Sequence, residues 1–575
     1  MNCFLRLAAA ALLLAFSATG ARAQSPDLLP PVTRTYAIVN ARIVQAPGRV
    51  IPRGTVLVRD GLITGVGAGV SVPFDAEVIP GDSLVVYAGF IDGLSNAGIP
   101  APKPENTNTT APDVSRSDPP DAAAGIQPER FAHAMIDPED SSIAELRNAG
   151  FTAAHIVPYG NMLPGSGAVV LLDGTSAGRM VLASDVSMFF QFDGARRVYP
   201  ATPMGVMAKF RQLYREAERR QHMETLYASS ARGIARPAYD PVHYAFFPVI
   251  AGEKPVFIYA DNALEIYRAL RLQQALGFKI MIGGLYQAFD ALDQLAAANV
   301  PLFLTLKLPN DVPDSGKKDS VLTTDSTPHS AGFNPNFRTT SYGEVAAETQ
   351  NLAARQAIFR QQYIQTAADL HEAGLRFGFT TKEVKPADIH KNLRKMVKAG
   401  LPEDAALAAL TTDTAGLLGL SDNLGTVETG KIANLVVANG PLFAEKTALR
   451  LVFVDGKKFE VEAKKPDSAR KDTTAAGVNA IGSWEFVAET AGMRGILTFT
   501  GSPDAMDGNL EAEGQTLRPL QNVAFTGNQL SFEFFIEEMG AIKAALVIDG
   551  NTLDGTFTTD DDSILAVTGS RRPRN

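Results

Sequence analysis

The pattern of apolar and polar positions divides the chain into regions with different periodicities. Residues 34–88 and 432–461 contain short apolar runs that alternate with polar positions and are divided by turns such as Asp60-Gly61. This pattern predicts β-strands joined by tight turns. Between these two regions, short apolar runs are followed by amphipathic helical patterns, as in PVFIYAD before NALEIYRALRLQQALGF. Such alternation predicts parallel strands connected through helices.

The alternation of strands and helices extends over residues 89–418. We therefore predict a fold of the α/β class, a (β/α)8 barrel of the TIM type with its site at the C-terminal ends of the strands. A doubly wound open sheet has the same alternation and stays open as an alternative. Two long polar connections, residues 100–125 and 308–341, follow strand ends on that face, and we interpret them as lids.

The C-terminal part of the chain has a third pattern. Residues 463–478 are hydrophilic and predict a linker. Residues 479–575 contain eight short apolar runs separated by Gly-Asn, Asp-Gly and Asp-Asp turns, which predicts a small antiparallel β-barrel. The GSW motif containing Trp484 and the late Arg571 resemble the signature of lipocalin-like barrels. This resemblance implies that Arg571 packs over Trp484 as a cation–π pair.

The first 23 residues have the features of a secretory signal peptide. A short cationic start precedes the apolar run LAAAALLLAFSATG, and Ala21-Arg22-Ala23 forms a cleavage signal before Gln24. The only cysteine, Cys3, lies in this segment, so the mature protein is expected to have neither a thiol nor a disulfide. We expect a secreted protein of a bacterial periplasm. No later apolar run is long enough for a transmembrane segment.

The composition of the chain says more about which classes of partner it can bind than about its substrate. The chain has 575 residues, of which 45% are hydrophobic and 20% charged, and its net charge is −9 at pH 7. These values are typical of globular proteins, and with no long basic run they argue against a nucleic acid partner. We expect a small-molecule or peptide-like ligand, while the oligomeric state stays open.

Several motifs together resemble the amidohydrolase superfamily, in particular its imidazolonepropionase-like branch. AGFIDG at residues 88–93 is similar to the entry of that family's first strand, and GTVETGKIANLVV at 425–437 to its return into a β-sandwich. The stretches at 148–170 and 255–284 resemble units between them. The resemblance implies a barrel at 89–418, a composite β-sandwich from residues 24–88 and 419–462, and hydrolysis of amide or other non-peptide C–N bonds.

The resemblance also implies a metal site, zinc in intact relatives, held by histidines and an aspartate at strand ends. Carried onto this chain, the ligand positions fall on five other residues: Leu94, Asn96, Tyr259, Gly283 and Thr380. Hydrocarbon, amide and hydroxyl groups are poor zinc ligands beside imidazole or carboxylate. We therefore predict neither a metal nor another cofactor, and a pocket at these positions.

Polar residues that remain near the strand ends could form an acid–base set of Asp92, His155 and Lys307. Asp92 could equally cap backbone N–H groups, and His155 could be a hydrogen-bonded core residue. Lys382 and Glu383 are interpreted as a solvated pair at a helix start. Two functions stay open: a hydrolase without the usual metal ligands, and a non-catalytic binding or scaffold protein.

The GTSAG motif at residues 174–178 matches the G-x-S-x-G pattern of a nucleophilic serine. That chemistry requires a strand before the motif and a helix after it. Apolar strand-like runs lie on both sides here. We therefore predict a hairpin turn at this position and do not assign Ser176 as a nucleophile.

Overall fold

The structure is a computed structural model that describes residues 35–102, 115–174, 176–309, 342–461, 480–488, 493–502, 505–512, 518–526, 529–536, 540–549, 552–559 and 564–572. The chain forms two compact units, Met1–Ala463 and Lys464–Asn575. The predicted signal peptide, the predicted linker at 463–478 and parts of both predicted lids lie outside the described residues.

The described part of the first unit contains sixteen strands. In chain order they are β1 (Thr35–Ala46), β2 (Arg49–Arg59), β3 (Leu62–Gly67), β4 (Ala76–Pro80), β5 (Val85–Ala88), β6 (Phe90–Ser95), β7 (Phe151–Ile156), β8 (Gly165–Leu171), β9 (Val181–Gln191), β10 (Val256–Ala260), β11 (Ile280–Gly284), β12 (Leu302–Thr305), β13 (Phe377–Thr380), β14 (Leu435–Ala438), β15 (Leu449–Val454) and β16 (Lys457–Glu460).

The α-helices of this unit mostly connect the strands of its central region. They are α1 (Ser141–Asn148), α2 (Ala177–Met180), α3 (Pro203–Ser229), α4 (Pro241–Ile250), α5 (Ala263–Leu276), α6 (Leu292–Ala298), α7 (Tyr342–Glu372), α8 (Ile389–Lys398), α9 (Glu403–Leu410) and α10 (Thr412–Leu417). Short 3-10 helices lie at Ala132–Met135, Ala288–Ala291 and Pro386–Asp388. Within the described residues, no helix has the length and apolar character needed to cross a membrane.

Strands from both flanks of the central region share one sheet. Its order is β16-β15-β14-β5-β1-β2-β3, and β4 pairs in parallel with β1. Asp60 and Gly61 connect β2 to β3 with φ angles of 50° and 79°, which is the backbone that a tight hairpin turn requires. Buried residues of both flanks, such as Ile38 and Val437, pack in one core. The flanks therefore fold together although more than 300 residues separate them.

The central region forms a second sheet in the order β13-β12-β11-β10-β9-β8-β7-β6. Seven of these strands run in parallel, but β8 is antiparallel to both β7 and β9. The prediction that all eight strands are parallel was therefore wrong at β8. Residues 157–164 between β7 and β8 are too few for a parallel crossover, which needs a dozen or more residues. The sequential order also lacks the reversal that defines a doubly wound sheet.

The two outermost strands of the second sheet meet at their carboxyl ends. The backbone N–H of Lys382, just after β13, donates to the carbonyl oxygen of Leu94 in β6 at 3.1 Å. The hydroxyl of Thr380 donates to the same oxygen at 2.5 Å. These bonds and the mixed α/β content fit a barrel-type fold, while full closure of the sheet stays a prediction.

The second unit is a nine-stranded antiparallel sheet. Its strands are β17 (Gly482–Ala488), β18 (Met493–Ser502), β19 (Ala505–Ala512), β20 (Arg518–Pro519), β21 (Gln521–Thr526), β22 (Gln529–Ile536), β23 (Gly540–Asp549), β24 (Thr552–Thr558) and β25 (Ile564–Arg571). The first strand, β17, pairs with both β18 and the last strand, β25. The likeness to lipocalins stays a prediction.

Trp484 and Arg571 lie directly opposite each other on β17 and β25. The guanidinium carbon of Arg571 lies 4.4 Å from the centre of the Trp484 ring, which confirms the predicted cation–π contact. The indole N–H of this buried ring donates to the carbonyl oxygen of Ala480 at 2.9 Å. Both the face and the polar edge of the indole are therefore in contact with the unit.

Candidate functional site

The interior of the parallel sheet is filled by apolar side chains. A buried cluster gathers residues from six strands or strand ends: Leu94, Val157, Phe189, Phe257, Met281 and Phe303. The rings of Phe257 and Phe303 stack at a centroid distance of 5.2 Å and an interplanar angle of 28°. Leu94 of this cluster is one of the positions onto which the resemblance carries a metal ligand.

Two glycines make this packing possible. A Cβ atom on Gly93 would lie 2.1 Å from Cδ1 of Phe303, and one on Gly283 would lie 2.4 Å from Cε1 of Phe257. Both distances are far below van der Waals contact, so any larger residue would displace an aromatic ring. Gly283, onto which the resemblance carries a metal ligand, therefore has a packing role in this protein.

Three other positions onto which the resemblance carries metal ligands also have structural contacts. Leu94 is fully buried, and the Thr380 hydroxyl already donates to the Leu94 carbonyl. The side-chain amide of Asn96 donates to the carbonyl oxygen of Val157 at 2.7 Å. None of the five positions offers an imidazole or a carboxylate, so zinc of the family kind does not fit them. Among the described residues, no three His, Cys, Asp or Glu side chains come together as metal ligands.

Asp92 is completely buried in β6, and both of its carboxylate oxygens accept hydrogen bonds. Oδ1 accepts from the backbone N–H groups of Leu94 at 3.1 Å and Thr381 at 3.0 Å. Oδ2 accepts from the Thr381 hydroxyl. Burial raises the pKa of Asp92 to about 7, against the opposing effect of the hydrogen bonds from Thr381. These contacts match the interpretation of Asp92 as a cap that joins β6 to the end of β13.

His155 is also completely buried, on β7. Its Nδ1 lies 3.1 Å from the carbonyl oxygen of Gly93, which can only accept, so Nδ1 carries the proton in the neutral ring. Its Nε2 then accepts from the hydroxyl of Ser187 at 2.9 Å. Burial lowers the pKa of His155 to about 4, so the ring is neutral at pH 7. Both nitrogens are satisfied, as expected of a core histidine.

Lys307, the third member of the predicted acid–base set, lies elsewhere. Its side chain is 48% exposed and pairs with Glu383, with 3.2 Å between Nζ and Oε2. In the described part of the chain, no hydrogen bond or ion pair connects it to Asp92 or His155. The structure therefore separates the predicted set into two buried groups and one at the mouth of the sheet, and the catalytic role of the set stays a prediction.

The mouth of the sheet holds a cluster that the sequence interpretation of Lys382 and Glu383 missed. Lys382 is not a solvated residue, because its side chain is only 14% exposed and its Nζ lies 3.2 Å from Oε1 of Glu383. The same ammonium lies 4.3 Å from the centre of the Tyr259 ring. Glu383 therefore receives one ammonium on each carboxylate oxygen. We call Tyr259, Lys307, Lys382 and Glu383 the mouth cluster.

The charged groups of the mouth cluster affect the pKa values of Glu383 and Tyr259. Partial burial would raise the pKa of Glu383, but Lys382 and Lys307 outweigh it and lower that pKa overall. Burial, together with Glu383 and Asp261, raises the pKa of Tyr259 above its usual value. Tyr259 therefore stays protonated at neutral pH, and its hydroxyl can donate a hydrogen bond.

Aromatic residues extend the mouth cluster on one side. The Lys307 ammonium lies 5.9 Å from the centre of the Tyr286 ring, just beyond β11. Tyr286 stacks on Tyr363 of α7 at 4.4 Å. Asp261, after β10, accepts from the side chain of Asn262 at 2.8 Å. The strand ends thus present ammonium, carboxylate and aromatic groups together.

Comparisons with known proteins bear on the fold. Residues 344–463 match the model of the amidohydrolase family. The structure is similar to that of an amidohydrolase from Thermotoga maritima MSB8, with a TM-score of 0.55 and 21% identity, over 74% of this chain and 100% of that one. The first match supports the amidohydrolase family over residues 344–463, and the second shows a shared fold. The imidazolonepropionase-like branch stays a prediction.

Other solved structures resemble this one at lower scores. One is a prolidase complexed with N-methylphosphonate-L-proline, with a TM-score of 0.42 and 16% identity, over 74% of this chain and 99% of that one. Another is an adenosine deaminase from Xanthomonas campestris with bound zinc, with a TM-score of 0.39 and 16% identity, over 76% and 96%. No curated protein matches the sequence.

Proposed function

We propose that this protein binds a small-molecule or peptide-like ligand at the mouth of an amidohydrolase-type sheet, without the metal-dependent hydrolysis of the superfamily. The observation that carries the proposal is that the same strands bear two different kinds of residue. Leu94, Phe257 and Phe303 pack together inside the sheet, while the carboxyl ends of the strands carry the mouth cluster. Ligands of parallel α/β barrels bind at those strand ends.

The filled interior supports the absence of the superfamily reaction. In that reaction a metal ion lowers the pKa of water and polarises the scissile carbonyl. Here the corresponding positions carry packing groups or hydroxyl and amide groups that already have partners. A ligand in the mouth would instead meet the ammonium of Lys382, the ring of Tyr259 and the carboxylate of Glu383. Such groups suit binding of a polar organic compound with an apolar part.

A hydrolase that works without metal is the second candidate, favoured by one observation. Burial raises the pKa of Asp92 to about 7, which is the range of a general acid or base at neutral pH. Against it, Asp92 is completely buried and its oxygens are engaged. A substrate would have to displace Thr381 to reach it.

One experiment separates the two candidates. The purified protein is analysed for bound metal by mass spectrometry. It is then mixed with N-acyl amino acids, cyclic amides and dipeptides, with and without added Zn²⁺, while the unfolding temperature and turnover are followed. We expect some compounds to raise the unfolding temperature without being hydrolysed, and Lys382→Met to abolish that rise. Lys398→Met serves as the matched control, because Lys398 forms an exposed pair with Glu445 at 2.6 Å.

The following results would contradict the proposal. Turnover that disappears in Asp92→Asn or His155→Gln would establish the metal-free hydrolase instead. Turnover that requires Zn²⁺ would show that the protein assembles a metal site from residues other than the five lost positions. No shift with any compound, or a shift that Lys382→Met leaves intact, would refute binding at the mouth cluster.

We also propose that the protein is exported to a bacterial periplasm. This rests on the cationic start, the apolar run and the Ala21-Arg22-Ala23 signal of the sequence. N-terminal sequencing of protein recovered from the native host tests it, with Gln24 expected as the first residue. A mature protein that begins at Met1 would contradict export by cleavage.

A further inference from the structure

Two ammonium groups from different strand ends converge on a single carboxylate at the mouth of the sheet. Lys307 follows β12, Lys382 follows β13, and Tyr259 lies on β10. The two ammonium groups each lie 3.2 Å from one oxygen of Glu383, and the Lys382 ammonium also lies 4.3 Å from the centre of the Tyr259 ring. Charge-assisted hydrogen bonds of this kind also hold carboxylate ligands in proteins.

We propose that Tyr259, Lys307 and Lys382 form a recognition site for a carboxylate group of the ligand, and that Glu383 occupies this site in the ligand-free protein. The inference rests on the proposed function and deepens it, since it names an anionic carboxylate as the part of the ligand that is recognised. Binding would exchange one carboxylate for another, with no change in the number of charges at the two lysines.

The exposure of these groups makes such an exchange feasible. The side chains of Glu383 and Lys307 are 46% and 48% exposed, so an incoming carboxylate reaches them from solvent. Lys382 is 14% exposed and packs on the Tyr259 ring, which fixes one ammonium as the base of the site. Ion pairs between partly exposed groups are weak, so Glu383 can be displaced.

The backbone of Glu383 is a second observation. Its φ angle is +63°, in the left-handed region that a residue with a long side chain rarely adopts. Residues held in this conformation persist only where the surrounding structure demands it, and they concentrate at binding and switch sites. The conformation brings the carboxylate back over Lys307, which lies 76 positions earlier in the chain.

The acidic residues near Tyr259 limit the charge that a bound ligand can carry. Asp261 and Glu265 lie close enough to raise the pKa of Tyr259, and Asp261 is engaged with Asn262. They disfavour a second negative charge near the Tyr259 side of the site. A monocarboxylate with an apolar body therefore fits better than a dicarboxylate, because Tyr286 and Tyr363 offer an aromatic surface beside Lys307.

Glu383→Gly tests the site with acetate as the probe. Glycine accepts the left-handed backbone without strain, and the lost side chain leaves room for a free carboxylate. We expect sodium acetate to raise the unfolding temperature of Glu383→Gly in a saturable way, at least about tenfold more tightly than in the wild type. Sodium chloride at the same ionic strength and neutral acetamide should have little effect. Glu383→Asn, which shortens the side chain and tolerates the left-handed backbone, should show the same preference if Glu383→Gly does not fold.

The controls decide which residues recognise the probe. Adding Lys382→Met to Glu383→Gly should remove the response to acetate. Glu445→Gly removes the carboxylate of an exposed ion pair with Lys398 and should produce no acetate site. Equal responses to acetate and chloride in Glu383→Gly and Glu383→Asn, or an acetate response that survives Lys382→Met, would overturn the inference.

The outcomes also separate this inference from the proposed function. Acetate binding to Glu383→Gly, with no compound of the wider panel binding to the wild type, would support the carboxylate site and refute the proposed function. Panel compounds that bind the wild type equally well as free acids and as neutral amides would support the proposed function and refute the carboxylate site.

Discussion

The interior and the mouth of the central sheet are built from the same strands but from opposite kinds of residue. In the interior, Phe257 and Phe303 stack in a buried apolar cluster with Leu94. At the strand ends, the largely buried ammonium of Lys382 pairs with the half-exposed carboxylate of Glu383. Tyr259 belongs to both regions, because its ring packs on the apolar cluster and also lies 4.3 Å from the Lys382 ammonium.

The contrast shows that one set of strands can carry a closely packed apolar interior and a charged cluster at its ends. Side chains that point inward must fill the space between the strands, and here aromatic rings fill it. Residues beyond the strand ends are under no such packing demand, so charged groups can be placed there. The two regions should therefore respond differently to substitution: the interior through stability and the mouth through binding.

The largest effect on stability is expected for Phe303→Ala. Phe303 is completely buried and stacks on Phe257, so its loss leaves a cavity that costs about 3–5 kcal/mol of unfolding free energy. Urea unfolding measures the change. Phe359→Ala is the matched control, since that ring is 54% exposed on α7 and its loss should cost less than about 1 kcal/mol. Similar losses in the two variants would mean that the interior is not closely packed.

Asp92 should make the protein less stable as the pH rises. Its pKa is about 7 in the folded state and 3.8 in the unfolded state, so between these values the folded state binds more protons. The stability contributed by the protonated carboxyl is complete below pH 4 and is lost as pH rises through 7, by roughly 2–4 kcal/mol. Asp92→Asn should remove this slope in urea unfolding between pH 4 and 7.

The stability that His155 contributes changes with pH in the opposite direction, so His155 serves as the comparison. Its pKa falls from 6.5 in the unfolded state to about 4 in the folded state, so the unfolded state binds more protons between these values. Its contribution is complete above pH 6.5 and is lost as pH falls towards 4. His155→Gln should remove a rising slope, whereas Asp92→Asn removes a falling one. Slopes of equal sign for the two variants would contradict their burial as separate groups.

Gly283→Ala should produce an intermediate effect. The new Cβ would lie 2.4 Å from Phe257, so the stacked rings must shift at a cost of about 1–3 kcal/mol. Gly178→Ala is the matched control, because its Cβ would meet nothing within 4 Å. Thermal unfolding compares the two. A Gly283→Ala protein as stable as the control would show that this lost ligand position is empty space rather than part of the apolar cluster.

Much of this architecture could be predicted from the sequence, because the strand–helix alternation is a local pattern. The direction of β8 could not be predicted, since the apolar run GSGAVVL does not encode whether its strand is parallel. The role of Phe303 could not be predicted either, because strand periodicity does not tell which face of a strand points inward. Lys382 and Glu383 were visible as polar residues after a strand, yet their convergence with Lys307 depends on a left-handed backbone and on contacts distant in sequence.

The smallest effect on stability is expected for Lys307→Met. This variant tests most directly whether the mouth cluster acts in binding while the interior acts in stability. Because Lys307 and Glu383 are both about half exposed, losing their pair should cost less than about 1 kcal/mol of unfolding free energy. The same substitution should nevertheless weaken the binding of carboxylate compounds, since it removes one of the two ammonium groups that hold the carboxylate. Calorimetric titration beside urea unfolding measures both quantities on one sample. A variant that loses stability and binding in parallel would place Lys307 in the packing of the fold, because only a residue that recognises ligand can lose binding while the fold keeps its stability.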